Sequence, residues 1–245
     1  MKHGFVTLLI LSSLLVLGIF LAGCTSTPNT PGTHSLSMDQ PPPATPFPIS
    51  NGSAATVSET GMVTANNQFA RDLYLQLARD PQYARSNIFF SPFSLSSALA
   101  ITYEGARGTT ADEIRSVFHF PSDNTLLREG FSNVNAGINN GDTNYTLNTA
   151  NALWAEKTFP FMPDYISTAG CWYSANVTNL DFISKPEASR QTINTWVANR
   201  THDKIQNLLP AGSIDPLTRL VITNAEYFNG TWEKQFDVND TRDTD

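Results

Sequence analysis

The sequence predicts an α+β domain in which several helices surround a large sheet whose strands pair over long distances in the chain. Helical spacing of apolar residues dominates the first half of the folded part. Segments of strand character, at residues 87–90, 145–154, 177–182 and 220–228, are widely separated in the sequence. Strands so far apart must pair non-locally, as is typical of the α+β class.

The composition excludes some classes of function. The 245 residues are 40% hydrophobic, which is enough for a sizeable core, and the net charge is -7 without any run of Lys or Arg. A nucleic-acid binder needs a basic surface, so we expect this protein to have no nucleic-acid partner. The histidines and the two cysteines lack metal-ligand spacing, and the GxSxG, HExxH, SxxK and phosphate-loop motifs are absent. We therefore expect no enzymatic site and no cofactor.

Residues 1–24 have the layout of an export signal. Lys2 and His3 precede an apolar run at residues 5–21, which ends in the sequence LAGC. LAGC resembles the lipobox of prokaryotic lipoproteins, and that resemblance implies a lipid anchor on Cys24. The alternative is an uncleaved membrane anchor, because the run nearly reaches the length that spans a bilayer. Either interpretation predicts an extracellular protein tethered to the cell surface.

Residues 25–64 are predicted to form a disordered stalk. The stretch is rich in Pro, Ser and Thr, and residues 40–49 read QPPPATPFPI, which favours an extended chain without a core. Asn-x-Ser/Thr acceptor sequences for glycosylation occur at Asn51, Asn144, Asn176, Asn199, Asn229 and Asn239. Chance is the alternative explanation for these sequences, because the chain is rich in Asn and Thr.

The folded part is predicted to begin near Ala65 with two helices. Phe69, Leu73 and Leu77 share one face of the first helix, which should end at Asp80-Pro81. Ser91 then precedes a proline, as the N-cap of a second helix that should end at Gly105. This second helix carries almost no charge, so we expect it to be buried.

Four further helices and a final strand complete the prediction. A capping box at residues 110–113 should open a helix that stops at residues 120–121, and helical patterns follow at residues 126–138, 161–172 and 187–209. The strand at residues 220–228 is apolar on both faces except for Asn224 and Glu226. That pattern is typical of a central, covered strand. A buried Asn is unfavourable unless its amide is hydrogen-bonded.

Four stretches of this chain resemble the serpin family, and they occur in the family's order. They are residues 87–100 (NIFFSPFSLSSALA), 105–114 (GARGTTADEI), 193–209 (INTWVANRTHDKIQNLL) and 223–236 (TNAEYFNGTWEKQF). The resemblance extends over residues 65–245, and on it the chain is identified as a member of the serpin family. The resemblance implies a multi-helix domain around a large central sheet, present here as its N-terminal part and incomplete at the C-terminus.

The resemblance also implies a function and a set of site residues. Serpins are suicide inhibitors of serine or cysteine endopeptidases, and the cleaved reactive loop inserts into the main sheet as a new strand. By resemblance, Ser91, Ser94 and Asn224 hold the region where the sheet opens, and Trp232 lies at the top of the sheet. The alternatives are a simple helix cap at Ser91, locally satisfied polar groups at Ser94 and Asn224, and ordinary core packing at Trp232.

The reactive loop of the family would follow residue 236. We therefore expect these 245 residues alone to be a non-inhibitory fragment, with the strand at residues 220–228 as an exposed apolar edge. A target protease would be a partner only of the complete form. The alternative function is a non-inhibitory serpin-like binding module at the cell surface. Cys171 is expected to be a buried thiol, with a reactive thiol as the alternative.

Overall fold

The computed structural model describes residues 52–83, 85–141, 145–234 and 237. Its helices are α1 (Gly52–Arg79), α2 (Pro92–Gly105), α3 (Gly108–Phe118), α4 (Asn124–Asn139), α5 (Pro163–Tyr173) and α6 (Pro186–Arg200). Its strands are β1 (Tyr145–Glu156), β2 (Ala175–Leu180) and β3 (Leu220–Gly230). Helices therefore precede and separate the strands, and the predicted α+β class is confirmed.

The three strands form one sheet in the order β2-β1-β3. Strand β1 pairs in parallel with β2, and α5 makes the crossover between them, as a parallel pair requires. Strand β1 pairs antiparallel with β3, and in this register Asn151 lies opposite Asn224 and Thr149 lies opposite Glu226. The predicted non-local pairing is thus present, and β3 forms one edge of the sheet within the described residues.

The main core lies between one face of the sheet and helices α1 to α5. Helices α2, α4 and α5 contact the strands, and α1 and α3 pack against α2. The largest fully buried side chains of this core are those of Met62, Ile101, Leu127, Phe131, Leu153 and Tyr173. Aromatic rings run through it, with the Phe131 ring 5.3 Å from the Tyr173 ring between their centroids. Burial of these large apolar side chains is the main stabilising term for the fold.

A second, smaller core lies on the opposite face of the sheet under α6. Trp154 on β1 and Ile193 on α6 are both buried in it. The Trp154 indole donates a hydrogen bond to Thr223 Oγ1 at 3.0 Å, and its ring meets the Trp196 ring edge-on at 5.7 Å. The sheet is therefore covered on both faces, but only along the part of β3 that precedes residue 226.

Helix α1 begins earlier than the sequence analysis predicted. It starts at Gly52, within the range assigned to the disordered stalk, and Met62 and Ala65 are buried together with Phe69. The reason is that no proline occurs between Pro48 and Pro81, so this Ser- and Thr-rich stretch can be helical. The apolar face of α1 then extends toward the N-terminus and joins the core.

Three local predictions were wrong. Residues 87–90 form no strand. Helix α3 begins at Gly108, so the predicted capping box lies inside the helix and its N-cap, Arg107, makes no side-chain cap.

Helix α6 ends at Arg200, well before the predicted end at residue 209. The Thr201 hydroxyl takes hydrogen bonds that the helical backbone would otherwise make, because it donates to Val197 O and accepts from Ile205 N. His202 and Asp203 then take positive φ values, which turn the chain out of the helix.

None of the helices in the described residues is long and apolar enough to cross a membrane. The apolar run at residues 5–21 and the lipobox Cys24 lie outside the described residues, so the predicted lipid anchor remains a prediction.

Candidate conformational-switch site

A group of polar side chains lies between the start of α2 and the middle of the β1–β3 pair. We call it the switch cluster, and it consists of Ser91, Ser94, Thr149, Asn151, Asn224 and Glu226. Ser91 is the N-cap of α2 and Ser94 lies in its first turn, and the other four residues come from the sheet face that α2 covers. Ser94, Thr149 and Asn151 are buried, and the remaining three are half-buried.

The serines form the helix side of the switch cluster. Ser91 is the N-cap of α2, as predicted, and its Oγ accepts a hydrogen bond from the backbone N–H of Ser94 at 3.2 Å. Pro92 occupies the first helical position, which needs no backbone donor. Both serine hydroxyls donate to the same carboxylate oxygen, Oε2 of Glu226, and the distance from Ser94 Oγ is 2.9 Å. A carboxylate at this end of the helix is also favoured by the helix dipole.

Asn224 forms the strand side. Its side-chain amide donates to Asn151 Oδ1 at 2.8 Å and approaches Thr149 Oγ1 at 3.4 Å. Its own Oδ1 is buried and has no hydrogen-bond partner among the described residues. Asn224 thus makes cross-strand hydrogen bonds from β3 to β1, and it makes no hydrogen bond to either serine.

Hydrogen bonds extend from the switch cluster to α4 and α5. The Asn151 amide donates to the backbone carbonyl of Tyr173, the last residue of α5, at 2.9 Å. The backbone N–H of Thr149 donates to Asn139 Oδ1 at the end of α4, at 3.0 Å. The cluster is therefore a junction of α2, α4, α5, β1 and β3, and a shift of β3 would change several of these bonds.

Tyr173 also connects the cluster to an ion pair at the other end of α2, between the buried Glu104 and the partly exposed Arg128. The Tyr173 hydroxyl donates to Glu104 Oε1 at 2.9 Å, and the Arg128 guanidinium donates to both oxygens of the same carboxylate at 2.7 and 2.9 Å. Burial, and then the Glu104 charge, raise the pKa of Tyr173 well above its ordinary value. The bidentate bond raises the pKa of Arg128. Each end of α2 is thus fixed through a carboxylate. Glu226 of β3 binds the start of the helix, and Glu104, a residue of α2 itself, binds Arg128 and Tyr173 at its end.

The three predicted switch residues are close together. The Asn224 amide binds Asn151 and Thr149 of β1. The serine hydroxyls are bound by Glu226, which was not among the site residues predicted from the sequence. The available signal was that Glu226 is the second polar residue of an otherwise apolar strand. It also lies two positions after Asn224, hence on the same face.

The remaining predicted sites are dispersed. Trp232 lies just past β3 and is 63% exposed, which differs from ordinary core packing.

The predicted glycosylation acceptors fall into two groups. Asn176, Asn199 and Asn229 are exposed, and Asn51, Asn144 and Asn239 lie outside the described residues. The hydroxyl of Thr201, in the acceptor sequence of Asn199, is buried against α6. Cys171 was predicted to be buried, but it is half-buried, and its Sγ lies 3.9 Å from Ser167 Oγ.

The switch cluster can exchange hydrogen bonds, and its residues suggest no other chemistry. It holds hydroxyls, amides and one carboxylate, without a histidine that would activate a serine. Within the described part of the chain, no group of three or more His, Cys, Asp or Glu side chains is placed to hold a metal ion. A group of this kind can respond to movement of a strand by changing partners.

Comparison with known proteins agrees with this architecture. Residues 64–245 match the family model described as Serpin (serine protease inhibitor). An "uncharacterized serpin-like protein" of Methanosarcina acetivorans is 48% identical over 191 residues, which are 78% of this chain and 45% of that protein. A leukocyte elastase inhibitor of Bos taurus is 44% identical over 179 residues, or 73% of this chain and 46% of that protein.

The solved structure of emu ovalbumin is also similar, with a TM-score of 0.69 and 30% identity over 74% of this chain and 50% of that chain. The chain spans about half the length of the relatives that it matches. The family match covers most of the chain and includes α2, β1 and β3, the three elements that carry the switch cluster. The chain belongs to the serpin family, of which it contains the N-terminal half of the domain.

Proposed function

We propose that the complete protein is a surface-tethered suicide inhibitor of serine or cysteine endopeptidases. The observation that carries this proposal is the 44% identity to a relative named leukocyte elastase inhibitor. The protease would attack a reactive loop C-terminal to residue 236 and form an ester or thioester with the loop carbonyl, releasing the new amino terminus. Insertion of the cleaved loop into the sheet would then trap this acyl-enzyme.

The switch cluster supports the mechanical part of this proposal. Insertion of a strand requires the sheet to open, so one strand must separate from its neighbours or slide on the helices beneath it. Strand β3 is held at mid-length by hydrogen bonds of Asn224 and Glu226, which are directional and can re-form with new partners. An apolar contact at the same place would not select one arrangement over another in this way.

The test is the formation of a covalent complex. The full natural protein is incubated with trypsin-like, chymotrypsin-like and elastase-like serine proteases and with a papain-like cysteine protease, and the products are separated in denaturing detergent. We expect a band at the summed mass of protein and protease. Cleavage by all of these proteases without such a band would contradict the proposal and favour the alternative of a non-inhibitory binding module.

A polypeptide of only these 245 residues is expected not to inhibit, because the family's reactive loop lies beyond them. An immunoblot of the source cells reports which form the cell makes. A band well above 26.9 kDa after deglycosylation indicates the complete inhibitor. A stable covalent complex between the 245-residue polypeptide and any protease would overturn this expectation.

The tether is proposed to be a lipid on Cys24, which follows the apolar run at residues 5–21. Replacement Cys24→Ala should abolish labelling by a radioactive fatty acid and stop cleavage of the signal before residue 24. The matched control is Cys171→Ala, which should leave both unchanged. Equal membrane attachment and processing of wild type and Cys24→Ala would contradict lipidation.

A further inference from the structure

We propose that Glu226 is the positioning residue that couples β3 to α2 and thereby sets how readily β3 separates from its neighbours. The inference rests on the proposed inhibitory function for its biological meaning, because that function requires the sheet to open. The coupling itself is a property of the fold and can be measured without a protease. The first observation that supports it is that Glu226 receives the hydroxyls of both Ser91 and Ser94 on a single oxygen.

The second observation is that the two polar residues of β3 hold the strand in different directions. Asn224 binds β1, the neighbouring strand in the sheet, through Asn151. Glu226 binds α2, which lies on the face of the sheet. Loss of the Asn224 bond would loosen the strand pair, whereas loss of the Glu226 bonds would free β3 to slide over α2.

The third observation is the position of Glu226 along β3. Burial alternates from the start of the strand to Ala225, residues 226 and 227 are half-buried, and residues 228–230 are exposed. Glu226 is therefore the first residue from the exposed end whose side chain is hydrogen-bonded to the start of α2. An opening that starts at this end is expected to reach Glu226 before it reaches the covered part of the strand.

The fourth observation concerns the charge. Ser91 Oγ accepts the Ser94 N–H and donates its own proton to Glu226, and a carboxylate accepts such bonds more strongly than a neutral group does. The negative charge also lies at the N-terminus of α2, where the helix dipole favours it. The amide of glutamine would keep an acceptor oxygen but lose both charge effects, so Glu226→Gln should be intermediate between wild type and Glu226→Ala.

The experiment is amide hydrogen exchange, resolved by peptide, on the full natural protein. The variants are Glu226→Ala, Glu226→Gln, Ser94→Ala and the Ser94→Ala/Glu226→Ala double variant, with Glu113→Ala as the control at an exposed carboxylate on α3. We expect exchange of residues 224–230 and of the first turn of α2 to be at least about tenfold faster in Glu226→Ala. Exchange of the β1–β2 pair should be unchanged.

The double variant tests whether Ser94 acts through Glu226. If it does, exchange in the double variant is no faster than in Glu226→Ala alone. Uniformly faster exchange over the whole domain, no change at all, or additive effects of Ser94→Ala and Glu226→Ala would each overturn the proposal. If Glu226→Ala does not fold, the near-isosteric Glu226→Gln decides by the same local criterion.

The outcome is separable from that of the proposed function. Local coupling in the exchange data together with no covalent complex by the wild-type protein would support the role of Glu226 and reject the trap. If the wild type does form complexes, Glu226→Ala should alter their rate, or the ratio of complex to cleaved protein, while Glu113→Ala does not. A wild-type rate and ratio in Glu226→Ala would overturn the link between this coupling and inhibition.

Discussion

The side-chain amide of Asn224 donates to Asn151 Oδ1 at 2.8 Å, and the two residues lie directly opposite each other in the β1–β3 pair. Asn151 is buried and extends this hydrogen-bond network, because its own amide donates to the backbone carbonyl of Tyr173. The main sheet is thus joined to the end of α5 by a chain of two amides. Each member of such a chain depends on its neighbour to satisfy buried polar atoms.

Replacement of Asn224 by Ala should lower the free energy of unfolding by about 1–3 kcal/mol, because it leaves the buried Asn151 Oδ1 without its donor. The measurement is urea unfolding followed by circular dichroism. The control is Asn229→Ala, an exposed position on the same strand, which should change stability by less than about 0.5 kcal/mol. Equal losses in the two variants would show that the Asn224–Asn151 bond contributes nothing.

Replacement of Arg128 by Met should leave the buried Glu104 carboxylate without its cationic partner, because the Glu104 side chain is only 3% exposed. We expect a loss of about 2–3 kcal/mol, somewhat below the value for a fully buried pair because Arg128 is partly open to solvent. Adding Glu104→Gln in the Arg128→Met background should recover part of the loss. The control is Arg115→Met, since Arg115 pairs with Asp112 on the surface. A loss no larger than that of the control would contradict this assignment.

The protein should lose stability in alkali because of two tyrosines of α5. Burial, followed by the charge of Glu104, raises the pKa of both Tyr165 and Tyr173. Since the folded protein holds these protons more tightly than the unfolded chain, their contribution is complete below about pH 10 and is lost progressively above it. Unfolding free energies measured at several pH values should therefore fall above about pH 10.

Tyr165→Phe should make this alkaline decline shallower, because one of the two shifted groups is then absent. Tyr83→Phe is the matched control, at an exposed position between α1 and α2. Tyrosinate absorbance offers a second reading: the fully buried Tyr173, whose pKa is raised well above its ordinary value, should ionise only together with unfolding. An alkaline decline that is identical in wild type and Tyr165→Phe would be evidence against the role of Tyr165.

Stability should also depend on pH in acid through Glu187 at the start of α6. Hydrogen bonds from Arg190 at 2.6 and 2.8 Å lower the pKa of Glu187 to about 2, from an ordinary value of 4.5. A lowered folded-state pKa means that the contribution is present above pH 4.5 and is lost as the pH falls toward 2. Glu187→Gln should flatten this part of the profile, while Glu113→Gln should not. Parallel profiles for wild type and Glu187→Gln would refute the prediction.

Local features of the chain determined most of the helices. The Ser91-Pro92 start and the Gly105 end of α2 follow from capping preferences that act within one turn. The periodic apolar residues likewise placed α4, α5 and the three strands of the sheet to within a few residues, whereas the strand predicted at residues 87–90 does not form. The errors at α1, α3 and the end of α6 are all at helix boundaries, where composition is a poor guide and a single side-chain contact, such as that of Thr201, decides.

The motifs in the sequence, by themselves, determined the family, the α+β class and the presence of polar residues on an otherwise apolar final strand. Only the tertiary structure decided which of these residues are partners. Ser94 and Glu226 are 132 positions apart, and their bond exists because α2 packs on the sheet face that carries the even-numbered residues of β3. The antiparallel register assigned Asn224 to Asn151 and left Glu226 to the serines. Register and packing are set by the whole core, so no local pattern could specify these pairs.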